Sequence, residues 1–256
     1  MEVGLNLFSI KNLLSTEKDY LETLKKLKAM GYSFVQFSGA PLNPEMIKKG
    51  IEESGLPVVL THVPLDRILN DTDKLIEEHF SFGCKNIGLG AINEEFVKED
   101  CTWRKTVDKL NLTAEKIKNA GGKFFYHHHH YEFHKLDDGK TVFDYMVENA
   151  PNINFTVDTY WLQFAGQNPI TFVDKINGRM ECVHLKDYRI DRKQHDFCEF
   201  KPGYAPVGTG SLDFKGIIEN YKKLGTKYFL VEQDDASTYD NPLEQVKISI
   251  DYLKNI

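Results

Sequence analysis

The chain lacks the marks of a membrane protein, a disulfide framework or a nucleic-acid binder. No stretch approaches the roughly 18 consecutive apolar residues that span a bilayer. The opening Met1-Glu2-Val3-Gly4-Leu5 shows no basic segment leading into an apolar one. Cysteine is scarce: Cys84, Cys101, Cys182 and Cys198 are scattered and form no C-x-x-C pair, as suits reduced thiols in a reducing compartment. A basic excess is missing too. The formal net charge is −6 over 256 residues, whereas a nucleic-acid footprint is usually a basic face. Linkers and low-complexity segments are absent as well. These absences predict a cytoplasmic protein folded as a single domain over residues 1–256, with no membrane or nucleic-acid partner. Hydrophobic residues at 41% and charged residues at 27% are enough for a substantial core.

What is present is a recurring unit in which a charged helical segment closes on glycine and a short apolar strand follows. Thr16–Met30 ends at Gly31 and feeds Phe34–Phe37; Pro44–Ser54 ends at Gly55 and feeds Val58–His62. Asp71–Phe82, a long helix from about Glu95 to Asn119, and Leu212–Leu224 repeat the pattern ahead of Asn86–Leu89, the strand beginning at Lys123, and Tyr228–Glu232. Glycine suits the position after a helix because it adopts the left-handed conformation at little cost. Thr16 opens a capping-box-like start, and Pro44, Pro169 and Pro242 fit first helical turns. With Val3–Phe8, Ile153–Asp158 and Met180–Lys186, eight strands alternate with helices, the order of a parallel (β/α)8 TIM barrel. A doubly wound open sheet is the runner-up, but no strand leads into a G-x-G-x-x-G phosphate turn. Tyr188–Ser211 is the longest irregular piece, expected to form a lid or wall.

Four consecutive histidines, His127 to His130, interrupt the apolar run from Phe124 to Phe133 near the middle of the chain. Alternation along a strand puts His127 and His129 on one face and His128 and His130 on the other. In a TIM barrel the chemistry sits at the C-terminal strand ends. Those ends carry His62, then His127 and His129, then Asp158, then His184 and Lys186, and last Glu232 and Asp234. Each has a plainer alternative. His62 could be a loop histidine bonded to backbone, and Asp158 a helix cap. Lys186 and Asp187 could be a solvated pair, and Tyr160-Trp161 core. Their shared position at strand ends is the stronger signal.

Imidazoles with two carboxylates suit Mn²⁺, Co²⁺, Zn²⁺ or Fe²⁺ without any thiolate. Such an ion polarises a carbonyl, so that a histidine or carboxylate can take the proton from the adjacent carbon to give an enediolate. Lys186 could neutralise the oxyanion.

Five runs carry a family resemblance: Tyr126–Phe133 (YHHHHYEF), Val157–Gly166 (VDTYWLQFAG), Val183–Tyr188 (VHLKDY), Val207–Phe214 (VGTGSLDF) and Leu230–Asp234 (LVEQD). Together they resemble the sugar phosphate isomerase/epimerase superfamily, with its xylose isomerase-like TIM barrel, ketose 3-epimerases and inosose dehydratases. The resemblance implies a divalent ion held at strands five to eight by Asp158, His184, Glu232 and, where relatives carry a glutamate, His127. This departs from the two-glutamate acid–base pair of the ketose 3-epimerases. Trp161 stands where several relatives carry a histidine. The Tyr-His-His-His run is closer to the inosose-dehydratase-like branch, and the fourth strand offers no histidine for the larger set of the zinc endonucleases.

The expectation is therefore a metal-dependent isomerase or epimerase acting on a keto sugar or cyclitol, with a lyase as runner-up. Glu232 and His129 are the acid–base candidates, and Lys186 stabilises the enediolate. His62 and Glu132 are expected to contact substrate, with Trp161, Phe8 and Phe37 as an apolar wall. A non-catalytic sugar-binding barrel is the reading from a different class, and a phosphatase or endonuclease on the same barrel a third. Whether the chain forms a homo-oligomer is left open.

Overall fold

The computed structural model describes residues 1–92, 98–176, 178–192 and 200–256. Eight parallel strands close into a barrel: β1 (Gly4–Asn6), β2 (Phe34–Phe37), β3 (Val58–Val63), β4 (Asn86–Leu89), β5 (Lys123–His127), β6 (Ile153–Asp158), β7 (Cys182–Leu185) and β10 (Tyr228–Val231). They follow chain order around the ring, and β10 closes against β1 through Gly4↔Leu230 and Leu5↔Val231. Helices α1 (Glu17–Met30), α2 (Pro44–Ser54), α3 (Leu65–Asn70), α4 (Thr72–Ser81), α5 (Asp100–Asn119), α6 (Val142–Asn149), α7 (Thr159–Phe164) and α8 (Phe214–Lys223) lie between strands, and α9 (Pro242–Lys254) follows β10. The barrel expectation holds.

The local devices are those the chain advertises. Thr16 accepts from the Asp19 N–H to start α1, and Gly31 ends it in the left-handed region at φ 98°. Pro44 and Pro242 sit in first turns, whereas Pro169 lies in a turn after Asn168 and starts no α-helix. The long helix begins at Asp100; the expected start at Glu95 falls outside the described residues.

Two expectations need correction. β1 stops at Asn6 rather than Phe8, because the Asn6 side chain accepts from the Phe8 N–H and turns the backbone into a 3-10 segment over Leu7–Leu13. The supposedly irregular Tyr188–Ser211 contains an antiparallel pair, β8 (Asp187–Arg192) and β9 (Phe200–Ala205). Pro202 and Gly203 in β9, and the charges of β8, hide a strand pair whose buried positions, Asp187, Gly203 and Ala205, carry no large apolar side chain to declare it.

Inside the barrel, Phe34, Leu60, Phe125, Cys182 and Leu230 pack as a separate apolar cluster that plugs it. Gly4 contributes room: a Cβ there would meet the Phe34 ring at 2.2 Å. Side chains alternate along a strand, so the residue two further on points inward one layer higher. Those residues are Gln36, His62, His127, His184 and Glu232. The site is the first polar layer above an apolar plug. The larger cluster, between strands and helices, takes the outward set, including Val35, Tyr126, Val157, Val183 and Val231. Cys84 and Cys182 are buried free thiols. Among the described residues, no helix is long and apolar enough to cross a membrane.

Candidate metal centre and active site

His127, Asp158, His184 and Glu232 end four neighbouring strands of the ring, and one ligand atom from each lies within 4.8 Å of the others. His127 Nε2 is 3.3 Å from Asp158 Oδ2 and 3.3 Å from His184 Nδ1, and His184 Nδ1 is 2.7 Å from Glu232 Oε2. All four side chains are buried. Lys186 Nζ completes the cluster at 3.1 Å from Asp158 Oδ2, 3.1 Å from Glu232 Oε2 and 2.9 Å from Asp234 Oδ1.

Whether these residues suit a metal turns on where their protons are. A carbonyl oxygen can only accept, so the 2.9 Å contact from His127 Nδ1 to Gly90 O places a proton on Nδ1 and leaves the Nε2 lone pair facing Asp158. Likewise His184 Nε2 donates to Gln36 Oε1 at 2.7 Å, while the Gln36 amide donates to Ser38 Oγ. His184 Nδ1 is thus directed at the carboxylates. Glu232 Oε2 is buried and faces the cluster, 2.7 Å from His184 Nδ1 and 3.1 Å from Lys186 Nζ. Two imidazole nitrogens and two carboxylates converge on one point, which fits a divalent cation.

The electrostatics agree. Burial opposes charge on His184, yet Glu232 and Asp158 outweigh it and raise its pKa to about 9. A divalent cation would take that proton's place. Burial also opposes ionisation of Asp158 and Glu232, but Lys186 with the imidazoles holds both well below the usual carboxylate range. Lys186 in turn stays protonated against burial because Asp158, Asp234 and Glu232 surround it.

His127 and Glu232 of the cluster, with Lys186, line a cavity of about 320 Å³ that is bounded also by Phe8, Ser38, His62, His129 and Asp234 among others, while Asp158 and His184 lie behind its wall. His129 lies beyond the end of β5 with its ring 4.6 Å from that of His127, stacked on Tyr131, whose hydroxyl meets its Nδ1 at 3.0 Å. Burial, then His127 and Lys186, pushes its pKa well down. Trp161, expected to contact substrate, does not line the cavity; it lies 5.2 Å from the His129 ring and 5.3 Å from Lys186 Nζ, and its buried indole nitrogen has no hydrogen-bond partner among the described residues. Asp158 serves twice: its Oδ1 caps α7 through the Trp161 N–H at 3.0 Å, while Oδ2 faces the cluster.

Two further expected substrate contacts do not line this cavity either. Phe37 lies one residue from Gln36, so it points out of the barrel and meets Tyr20 of α1 edge-on at 5.8 Å. Glu132 is wholly buried beside β5, accepting from the Tyr126 hydroxyl and the His129 N–H, each at 2.7 Å. Burial pushes its pKa up to about 7 against those bonds. It holds the chain that presents His129. Lys186 and Asp187 are not a solvated pair: Asp187 is buried too and accepts from Gly208, Gly210 and Leu212 N–H groups.

Asn6 and Gln36 were not anticipated. Asn6 Nδ2 donates to Glu232 Oε1 at 2.6 Å. Their signal is a polar residue at the inward position of an apolar strand. Because Gln36 fixes the His184 ring, Gln36→Leu should weaken divalent-ion binding by about 10- to 100-fold. Titration with Mn²⁺ or Co²⁺ against a competing chelator measures this; unchanged affinity would remove Gln36 from the site.

Comparison with known proteins now fixes the family. The chain belongs to the xylose isomerase-like TIM barrel family, whose model matches residues 24–256. It is 23% identical to the inosose dehydratase of Clostridium perfringens over 285 residues, covering 94% of this chain and 91% of that protein. For the inosose dehydratases of two Geobacillus species the match spans about half of the relative, 54% and 55%. Among solved structures, a sugar phosphate isomerase/epimerase from Parabacteroides distasonis superposes with a TM-score of 0.81 at 19% identity, covering 99% and 93% of the two chains. The 3-keto-D-glucoside 4-epimerase of E. coli gives 0.72 at 19%, covering all of both.

Proposed function

We propose that the protein is a metal-dependent isomerase or epimerase that removes the proton beside the carbonyl of a keto sugar or cyclitol. One observation carries this reading: two imidazole nitrogens and two carboxylates converge on one point beside a cavity, next to a buried ammonium. His127, Asp158, His184 and Glu232 would hold a Mn²⁺, Co²⁺, Zn²⁺ or Fe²⁺ ion. When bound, such an ion polarises a carbonyl and offsets the charge that develops on its oxygen.

The side chains divide the rest of the work. Lys186, protonated and fixed by three carboxylates, faces the cavity as an oxyanion partner. Both Glu232 oxygens are engaged, by Asn6 and by the cluster, which favours its ligand role over proton transfer. His129 lines the cavity without a place in the ligand set, so it is the better candidate to take the proton from carbon. Delivery of a proton to the opposite face by a second donor, a role open to the Lys186 ammonium at the cavity wall, epimerises the carbon. Loss of a leaving group from the next carbon instead gives elimination, the reading favoured by the similarity to inosose dehydratases.

The test is solvent exchange. Protein supplied with Mn²⁺ or Co²⁺ in D₂O, incubated with an inosose or a 3-keto-glucoside, should place deuterium on the carbon beside the ketone, read by proton NMR. Unlabelled sugar with every metal tried would favour a barrel that binds without catalysing.

A further inference from the structure

We infer that the sugar carries a neutral, apolar substituent, which fills a second cavity opening beside the active site. This deepens the function proposed above and rests on it for the identity of the sugar. The second cavity, of about 660 Å³, shares Gly39, His62, Gly90 and Ala91 with the first. Beyond them its wall is Ala40, Pro41, Leu42, Val63 and Pro64, with Arg67 the one charged residue among the described residues. A ligand confined to the metal cavity would leave this adjoining apolar space filled only with water. Burying a hydrophobic group there is favourable by the ordinary hydrophobic effect.

His62 stands between the two spaces. Its Nε2 is buried and has no hydrogen-bond partner among the described residues, and the bare Gly90 leaves room for its ring, since a Cβ there would come within 2.7 Å of Nδ1. The His62 side chain lines both spaces, so a group joining sugar to substituent would pass over its ring.

The charges argue against an anionic substituent such as phosphate. Arg67, the one cation lining the second cavity among the described residues, is already paired with Asp71 at 2.9 Å and Glu78 at 3.0 Å. In the first cavity Lys186 faces three carboxylates. The backbone N–H groups of Gly208, Gly210 and Leu212, a concavity that would suit an anion, are filled by the Asp187 carboxylate.

The experiment compares the methyl glycoside, the phenyl glycoside and the 1-phosphate of 3-keto-glucose, by deuterium exchange and by calorimetry on the metal-supplied protein. The phenyl glycoside should exceed the methyl by about tenfold in kcat/KM and in affinity, with the phosphate poorest. Ala40→Phe, which fills the second cavity, should bring phenyl down to the methyl value and leave methyl unchanged. Pro41→Trp on the exposed rim gives the same readout if Ala40→Phe does not fold. Equal phenyl and methyl values, a preference for the phosphate, or equal losses in the variants would overturn the inference. If nothing exchanges, the catalytic reading fails by itself. Calorimetry then decides this one: a phenyl preference abolished in the variants supports it, and equal binding refutes it.

Discussion

Asp158→Asn is expected to lose the bound metal and, with it, about a thousandfold or more of the exchange activity, the scale on which a charge-stabilising group acts. Asparagine is chosen because Asp158 has two tasks. Its Oδ1 accepts the Trp161 N–H at the start of α7, and an amide oxygen can do the same. Its Oδ2 supplies charge to a cluster in which His127 and Lys186 are within 3.3 Å and 3.1 Å, and an amide cannot. Lys186 keeps Glu232 and Asp234 as partners, so the fold should survive. With chelator present, the melting temperatures of the two proteins should agree within about 5 °C. Metal content by plasma mass spectrometry should read about one ion per wild-type chain and far less in the variant. A variant that keeps both its metal and its turnover would remove Asp158 from the centre.

The strand-end layer was legible because it obeys two simple periods. Helix–glycine–strand repeats gave the barrel order, and the inward positions at the strand ends carry polar groups on otherwise apolar runs, as at His184 after Cys182 and Glu232 after Leu230. The same parity explains the misses. Phe37 is an aromatic near a strand end, but it is one residue out of phase with Gln36 and therefore packs on Tyr20 instead of substrate. Glu132 follows the histidine run closely in sequence, yet the chain leaves β5 at His127, after which alternation no longer assigns faces. The contacts of Asn6 with Glu232 and of Gln36 with His184 join residues 226 and 148 positions apart. Barrel closure creates them; the local pattern marks only a polar residue at an inward position and does not name its partner. The β8–β9 pair escaped because Pro202, Gly203 and charged side chains suppress its strand signal.

Lys186→Met separates the two roles of the buried ammonium. Methionine is close in length and apolar, so packing against Trp161 and Tyr204 is largely kept while the charge is lost. What remains is Asp158, Glu232 and Asp234 around a space without their shared cation. Removing one partner of a buried ionic cluster costs about 3–5 kcal/mol, which at this chain length lowers the melting temperature by roughly 10 °C. That drop should appear in chelator. Added Mn²⁺ or Co²⁺ should raise the melting temperature of the variant more than that of the wild type, because the ion meets less cationic competition among the same carboxylates; at a hundredfold excess over Kd, binding alone adds about 2.7 kcal/mol. Exchange activity should not return with the stability, since methionine offers no proton or charge to an oxyanion facing the cavity. Recovery of both together would make Lys186 a structural counter-ion alone. A melting temperature unchanged in chelator would mean that the carboxylates are not held ionised by the lysine, and the electrostatic account of the centre would fall with it.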